Sequence, residues 1–159
     1  MYRAMDVARH VINYSNKNGY EISNIRLQKV LYFTQAYFII KRNELCFSDD
    51  LYAWQYGPVI PEVYYEFRGW GSMSIPTITR VTAKGYKIRT IQYIDSVIFD
   101  EDKILIDHVT DETSNMTVHE LIRISHNQPP WRRSYSYGRK RLIPKEYMKE
   151  YFGNHEKTE

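Results

Sequence analysis

The stretch Asn24-Ile25-Arg26-Leu27-Gln28-Lys29-Val30-Leu31-Tyr32-Phe33-Thr34-Gln35-Ala36-Tyr37-Phe38, continued to Arg42, decides how the rest of the chain is read. Ile25, Leu27, Val30, Leu31, Thr34 and Phe38, with the aromatic residues among them, spread over more than half of a helix circumference. A helix that apolar exposes its rings wherever it lies at an edge. The spacing therefore predicts a central helix over residues 24–42 with the other elements packed around it. Ser23 or Asn24 supplies the N-cap, because the first turn leaves amides that need a side-chain acceptor.

Upstream, Ala4, Val7, Ala8, Val11, Ile12 and Ser15 recur at helical spacing, and Asp6 sits in the first turn, where its charge opposes the helix dipole. Asn18-Gly19 stops that helix. Downstream, Leu45 to Ile60 reads as irregular. Pro58 and Pro61 push Gly57 and Ile60 toward extended backbone, so Tyr56 to Ile60 is expected as a stiff extended arm. Pro61 fits the first turn of a helix, where a missing N–H is no loss, and Glu62 meets its positive end. Val63, Tyr64, Phe67 and Trp70 then form an inward stripe, broken at Gly69 and Gly71.

From Ile75 the period changes. Thr77 to Val81 and Tyr86 to Tyr93 are β-branched or aromatic and roughly alternating; joined by Thr82-Ala83-Lys84-Gly85, they predict an antiparallel hairpin over residues 77–93. Asp100 is expected to cap a helix with Ile104, Leu105, His108 and Val109 inward. Thr117-Val118-His119-Glu120 matches a capping box, followed by Leu121, Ile122 and Ser125 on one face and ended by Pro129-Pro130. A last helix runs from Pro144 to Gly153 and buries Tyr147, Met148 and Tyr151. The expected architecture is one mostly α-helical α+β domain over residues 1–159, with five or six helices around residues 24–42 and one small hairpin.

A chain of 159 residues buries roughly 70% of its unfolded surface and needs no covalent staple. The single cysteine, Cys46, excludes an internal disulfide and a cysteine-built zinc site, and points to a reducing cytoplasm. Met1 to Asp6 does not read as a signal peptide. The most apolar window, Val30 to Ile40, is far short of the ~20 residues a bilayer span requires. Net charge is only +3, yet it is unevenly spread. Asp100 to Glu112 holds six acids against one lysine, and Trp131 to Arg141 holds five basic residues and no acid. Fifteen tyrosines, each a ring with a polar tip, suit half-buried positions and partner surfaces.

No catalytic set emerges. His119-Glu120 invites comparison with H-E-x-x-H, but Arg123 stands where the second histidine belongs. His126 lies about 10.5 Å further along the helix, too far to share a zinc ion with His119. His108 reads as a hydrogen-bonded core histidine and Cys46 as a small buried side chain. No metal or cofactor is therefore expected. Trp131 to Arg141 is the best case for nucleic acid, since cations meet phosphates and rings stack on bases, but it is equally suited to an acidic protein surface. Trp54, Tyr56 and Tyr64 flank the stiff arm and admit two readings, a preordered groove for a partner or rings that cement the arm to the central helix. His126 with Trp131 likewise reads as a contact or as a helix stop whose tryptophan folds back onto the core.

Leu27-Gln28-Lys29-Val30-Leu31-Tyr32-Phe33, then Ala53-Trp54-Gln55-Tyr56-Gly57-Pro58-Val59-Ile60-Pro61-Glu62-Val63-Tyr64, then Ile124 to Trp131, taken in this order, resemble the Panacea-domain family, also called SocA-like antitoxins. The resemblance implies a bacterial or prophage antitoxin that neutralises a cognate protein toxin, by direct binding or as an adaptor bringing it to a ClpXP-type protease. It implies no shared catalytic triad and no cofactor. The chain departs from the family in its Thr77 to Tyr93 segment, where relatives often have a shorter connection, and in reading without the DNA-binding domain some relatives carry. Trp54, Tyr56, Tyr64, Trp131, Arg132 and Arg133 are the expected contacts with the partner. The rival reading is a nucleic-acid-binding regulator centred on residues 131–141.

Overall fold

The computed structural model describes residues 1–83, 89–95 and 97–156. Two helices come first, α1 (Ala4–Lys17) and α2 (Asn24–Arg42). They are followed by β1 (Leu51–Trp54), β2 (Gly57–Val59), α3 (Pro61–Phe67) with a 3₁₀ turn to Trp70, and the pair β3 (Arg80–Ala83) and β4 (Arg89–Gln92). The chain continues through α4 (Asp100–Ser114), α5 (Val118–His126), the one-turn α6 (Pro129–Arg132), β5 (Arg141–Ile143) and α7 (Lys145–Glu156). None of the described helices is long and apolar enough to cross a membrane.

The mostly helical α+β architecture expected from the sequence forms, and α2 is its axis, packing against α1, α3, α4, α5, α7 and β2. Ser23 is the cap, its Oγ accepting the Arg26 amide at 3.4 Å. Asn43 closes the helix in the left-handed region (φ 55°), its amide donating to the Ile39 carbonyl. Leu27, Leu31, Tyr32 and Ile39 are wholly enclosed. Thr34, expected inward, is buried too, and so are four residues the periodicity did not mark as inward: Asn24, Gln28, Lys29 and Gln35. Each finds a partner, as buried polar groups must. Thr34 Oγ1 donates to Val30 O, while Gln35 Oε1 accepts the amides of Cys46 and Phe47.

Residues 45–60, read as irregular, contain a sheet. β1 pairs antiparallel with β2 and, on its other side, with β5, so the strand order is β2-β1-β5. Ala53 stands opposite Pro58 on one neighbour and Arg141 on the other. The expected stiff arm is β2 itself. Pro58 is tolerated because β2 is an edge strand and needs no donor on its outer side. β5 escaped notice because three residues carry no period of their own.

The β3–β4 pair realises the core of the expected hairpin, with Thr82 opposite Thr90. Thr77 to Thr79 precede the strand, and residues 84–88, which held part of the expected turn and strand, lie outside the described residues. Trp70 does not continue the inward stripe of Val63 and Phe67: it is 41% exposed. The tighter 3₁₀ turn advances the side chain farther per residue than an α-helix and carries the ring off the stripe. In α4, Asp100 is the first helical residue and Phe99 the N-cap. Ile104 is 69% exposed, and His108 stacks on Tyr37 at the surface instead of lying in the core. The inward positions are Asp102, Ile106, Val109 and Thr113. Asp102 sets that rotation, bonded to the Tyr2 hydroxyl and the Arg42 guanidinium. The Thr117 cap is as expected, its Oγ1 accepting the Glu120 amide at 3.1 Å. α7 starts after Pro144, buries Met148 and Phe152, and runs past Gly153 to Glu156.

Candidate functional site: a cationic aromatic groove

The three signature segments meet on one side of α2 through buried hydrogen bonds. Lys29, fully enclosed, donates Nζ to the Pro58 carbonyl at 3.0 Å. One residue closer to the helix start, Gln28 accepts the Ile60 amide at 2.9 Å and donates to Asn24 Oδ1, and Asn24, a turn further back, donates to the Tyr64 carbonyl. These bonds hold the middle of β2, the residue that follows it and the middle of α3. The third segment is tied in twice. Tyr32 donates its hydroxyl to Gln128 Oε1 at 2.7 Å, and Trp131 Nε1 donates to the Trp54 carbonyl at 2.9 Å.

Gly57 shows how tight the junction is. Its φ is +108°, and a Cβ there would lie 2.6 Å from Lys29 Cε and 3.0 Å from Ser125 Oγ. Only glycine allows both the backbone conformation and the passage of the lysine stem. Among the described residues no carboxylate joins the Lys29 ammonium in its hydrogen bonding, and burial pulls its pKa down from 10.5 to about 7. His126 lies within reach of the same field. Burial, then the Lys29 charge, depress its pKa and keep the imidazole neutral. The neutral ring stacks on Trp131 at 3.8 Å, and Trp131 stacks in turn on Tyr135 at 4.5 Å.

Above this junction lies an open groove of about 930 Å³. α2 contributes Gln28 and Lys29, and the β1–β2 hairpin contributes Trp54 and Tyr56. Tyr64 and Tyr65 of α3 close on Trp54 with ring centroids 5.0 and 6.1 Å away. The segment leading into β5 adds Tyr135, Arg139 and Lys140, and Arg68 comes from the turn after α3. The described lining carries four cations, Lys29, Arg68, Arg139 and Lys140, and no carboxylate. Lys140 Nζ lies 4.3 Å from the centroid of the Trp54 ring, and the Arg68 guanidinium 5.2 Å from that of Tyr65.

Of the six residues expected as contacts, Trp54, Tyr56 and Tyr64 line the groove together. Trp131 is buried beneath it and supports the Trp54 backbone, which is the folded-back reading of that residue. Arg132 donates to the Asn127 carbonyl, and Arg133 pairs with Glu150 at 3.0 Å while covering the Tyr147 ring. Neither arginine is among the groove residues. The basic segment 131–141 is thus divided, and only its latter half faces the groove. Gln28, Lys29 and Arg68 were not singled out from the sequence as contacts, and Arg139 and Lys140 were read only as part of the basic segment 131–141. A fully buried lysine has no signal in periodicity, and Arg68 is brought to the other cations only by folding. Among the described residues no group of histidine, cysteine and acidic side chains is arranged to hold a metal ion.

A family model described as "Antitoxin SocA-like, Panacea domain" matches residues 27–132. The chain belongs to the SocA-like Panacea-domain family. Antitoxin SocA of Caulobacter vibrioides is 32% identical to it over 112 residues, which are 69% of this chain and 58% of that protein. The chain therefore spans less than two thirds of the length of that relative. No solved structure matches it. The region matched by the Panacea-domain family starts at the head of the Leu27 to Phe33 segment and ends one residue after Trp131, so it covers all three signature segments and Arg68. Arg139 and Lys140 lie beyond it.

Proposed function

We propose that the chain is an antitoxin that neutralises a cognate protein toxin by holding it at the cationic aromatic groove. The supporting observation is that the family's three signature segments are joined on α2 by buried bonds whose product is this groove. Lys29 and Gln28 hold the backbone of β2 and the residue after it, Asn24 holds the Tyr64 carbonyl and Trp131 the Trp54 carbonyl, so that Trp54 and Tyr64 are fixed in place. A surface fixed in advance loses less entropy when a partner docks, which suits a protein whose task is recognition. Direct occlusion is the mechanism that such a surface favours.

The test is co-expression with the product of a small neighbouring reading frame that arrests growth when expressed alone. Restored growth, with the two proteins eluting together and the toxin level unchanged, is the expected result. Restored growth with a falling toxin level, dependent on a ClpXP-type protease, places the chain in the adaptor route instead of occlusion. Absence of rescue and of complex formation refutes the antitoxin reading.

A further inference from the structure

We infer that the groove receives an acidic segment of the partner protein, whose carboxylates are met by Arg68, Arg139 and Lys140. The inference rests on the antitoxin reading for the partner's identity, but the chemistry comes from the groove. Arg3, Arg9, Arg42, Lys103, Arg133 and Lys145 each have a carboxylate within ion-pair distance. Arg68, Arg139 and Lys140 are exposed, share one concave surface, and among the described residues pair with no acid. Collected cations left without counter-charges attract an anionic partner, and a concave, low-dielectric wall strengthens that field.

Their placement is built into the fold. A turn with Gly138 in the left-handed region (φ 74°) is closed by the Arg139 amide donating to Ser136 O at 3.0 Å. The chain then enters β5, where Arg141 pairs with Ala53, so Arg139 and Lys140 are held between two backbone anchors.

Geometry favours peptide over nucleic acid. Single-stranded nucleic acid is held by bases stacking on open ring faces. Here Lys140 lies over Trp54, Arg68 lies over Tyr65, and Tyr135 is stacked on Trp131. Tyr56 and Tyr137 are exposed rings of the same lining, but the faces of Trp54 and Tyr65 are taken by cations.

The experiment selects random dodecapeptides on the intact chain by phage display, then repeats the selection on the Arg68→Glu/Arg139→Glu/Lys140→Glu variant. All three side chains are exposed, and matched thermal unfolding shows that the variant is folded. A parallel Arg68→Gln/Arg139→Gln/Lys140→Gln variant removes the charge without reversing it. Peptides rich in Asp and Glu are expected from the intact chain and not from the charge-reversed one. A fluorescein-labelled selected peptide is expected to bind the Gln variant about tenfold more weakly, the sum of three modest exposed ion pairs. Neutral or basic peptides, unchanged selection on the charge-reversed variant, or tighter binding of an oligothymidine than of the acidic peptide would each overturn the inference. Toxin rescue separates the two proposals. If the charge-reversed variant still rescues growth, the groove inference fails and the antitoxin reading stands. If the intact chain binds acidic peptides but rescues nothing, the reverse holds.

Discussion

Replacing Lys29 with methionine removes the one ammonium wholly enclosed beneath the groove while keeping most of the stem that fills the space under Gly57. In the unfolded chain the amine has its ordinary pKa of 10.5, whereas in the folded protein burial lowers it to about 7. The unfolded state therefore binds more protons between these values. Stability must rise with pH across that window, because deprotonation relieves a desolvation penalty that exists only in the native state. Integrating the linkage relation from about pH 7 to about pH 9 gives a gain of about 2 kcal/mol from this single group. Urea unfolding of the wild-type and Lys29→Met proteins, measured in parallel at several pH values, isolates it. Titrating groups distant from Lys29, including His10 and Cys46, are common to both proteins and cancel in the difference; His126, whose pKa Lys29 helps to lower, changes protonation mainly below this interval. Wild-type stability minus variant stability is expected to climb by about 2 kcal/mol over the interval. A difference that stays flat would mean that Lys29 keeps an ordinary pKa in the native protein, and the account of a desolvated, carboxylate-free ammonium would be wrong.

Gly57→Ala places a methyl 2.6 Å from Lys29 Cε at φ +108°, so overpacking and backbone strain together are expected to destabilise the fold by about 2–5 kcal/mol in denaturant unfolding. Against a Lys29→Ala background, which removes the contact with the lysine stem, Gly57→Ala should cost less than it does in the wild type. His10 is held between Asp95 and Asp107 at 2.7 Å on each side. Burial disfavours its charge, but the hydrogen bonds that its N–H groups donate to Asp107 and Asp95 override this and raise its pKa above 6.5. Its stabilising contribution is therefore complete below about pH 6.5 and fades as pH rises through the folded value. The stability gap between wild type and His10→Asn should narrow over that range in thermal unfolding. Trp131→Phe keeps a flat ring in the stack but orphans the Trp54 carbonyl, and is expected to cost about 1–3 kcal/mol. If Trp131 works through Trp54, toxin neutralisation should weaken along with it; unaltered neutralisation would sever that link.

Much of the helical frame was legible because its signals are local. Ser23 and Thr117 cap the helices they precede, Pro61 opens α3, and the apolar breadth of residues 24–42 foretold a helix surrounded on most sides. The misreadings have a common cause. Ile104 and His108 fit a helical stripe as well as Ile106 and Thr113 do. The choice between the two faces fell to the bonds of Asp102 with Tyr2 and Arg42, residues far away along the chain. β5 formed because β1 offered it an edge. In the candidate site, Trp54, Tyr56 and Tyr64 were legible from the prolines and aromatic residues around them. Lys29 and Arg68 were not, since a charged residue on a helix or in a turn ordinarily reads as solvated, and Arg139 and Lys140 were legible only as part of the basic segment 131–141.

By itself the amino-acid sequence determined the family, the central helix and the stiffness of the strand that follows the Trp54 turn, because capping, proline geometry and apolar period act within a few residues. Only the tertiary structure decided that three separate segments join on Asn24, Gln28, Lys29 and Tyr32, that Trp131 serves as a support, and that four cations line one groove. Those outcomes depend on which groups are removed from water together. Desolvation is a property of the assembled neighbourhood and has no counterpart in any short stretch of chain.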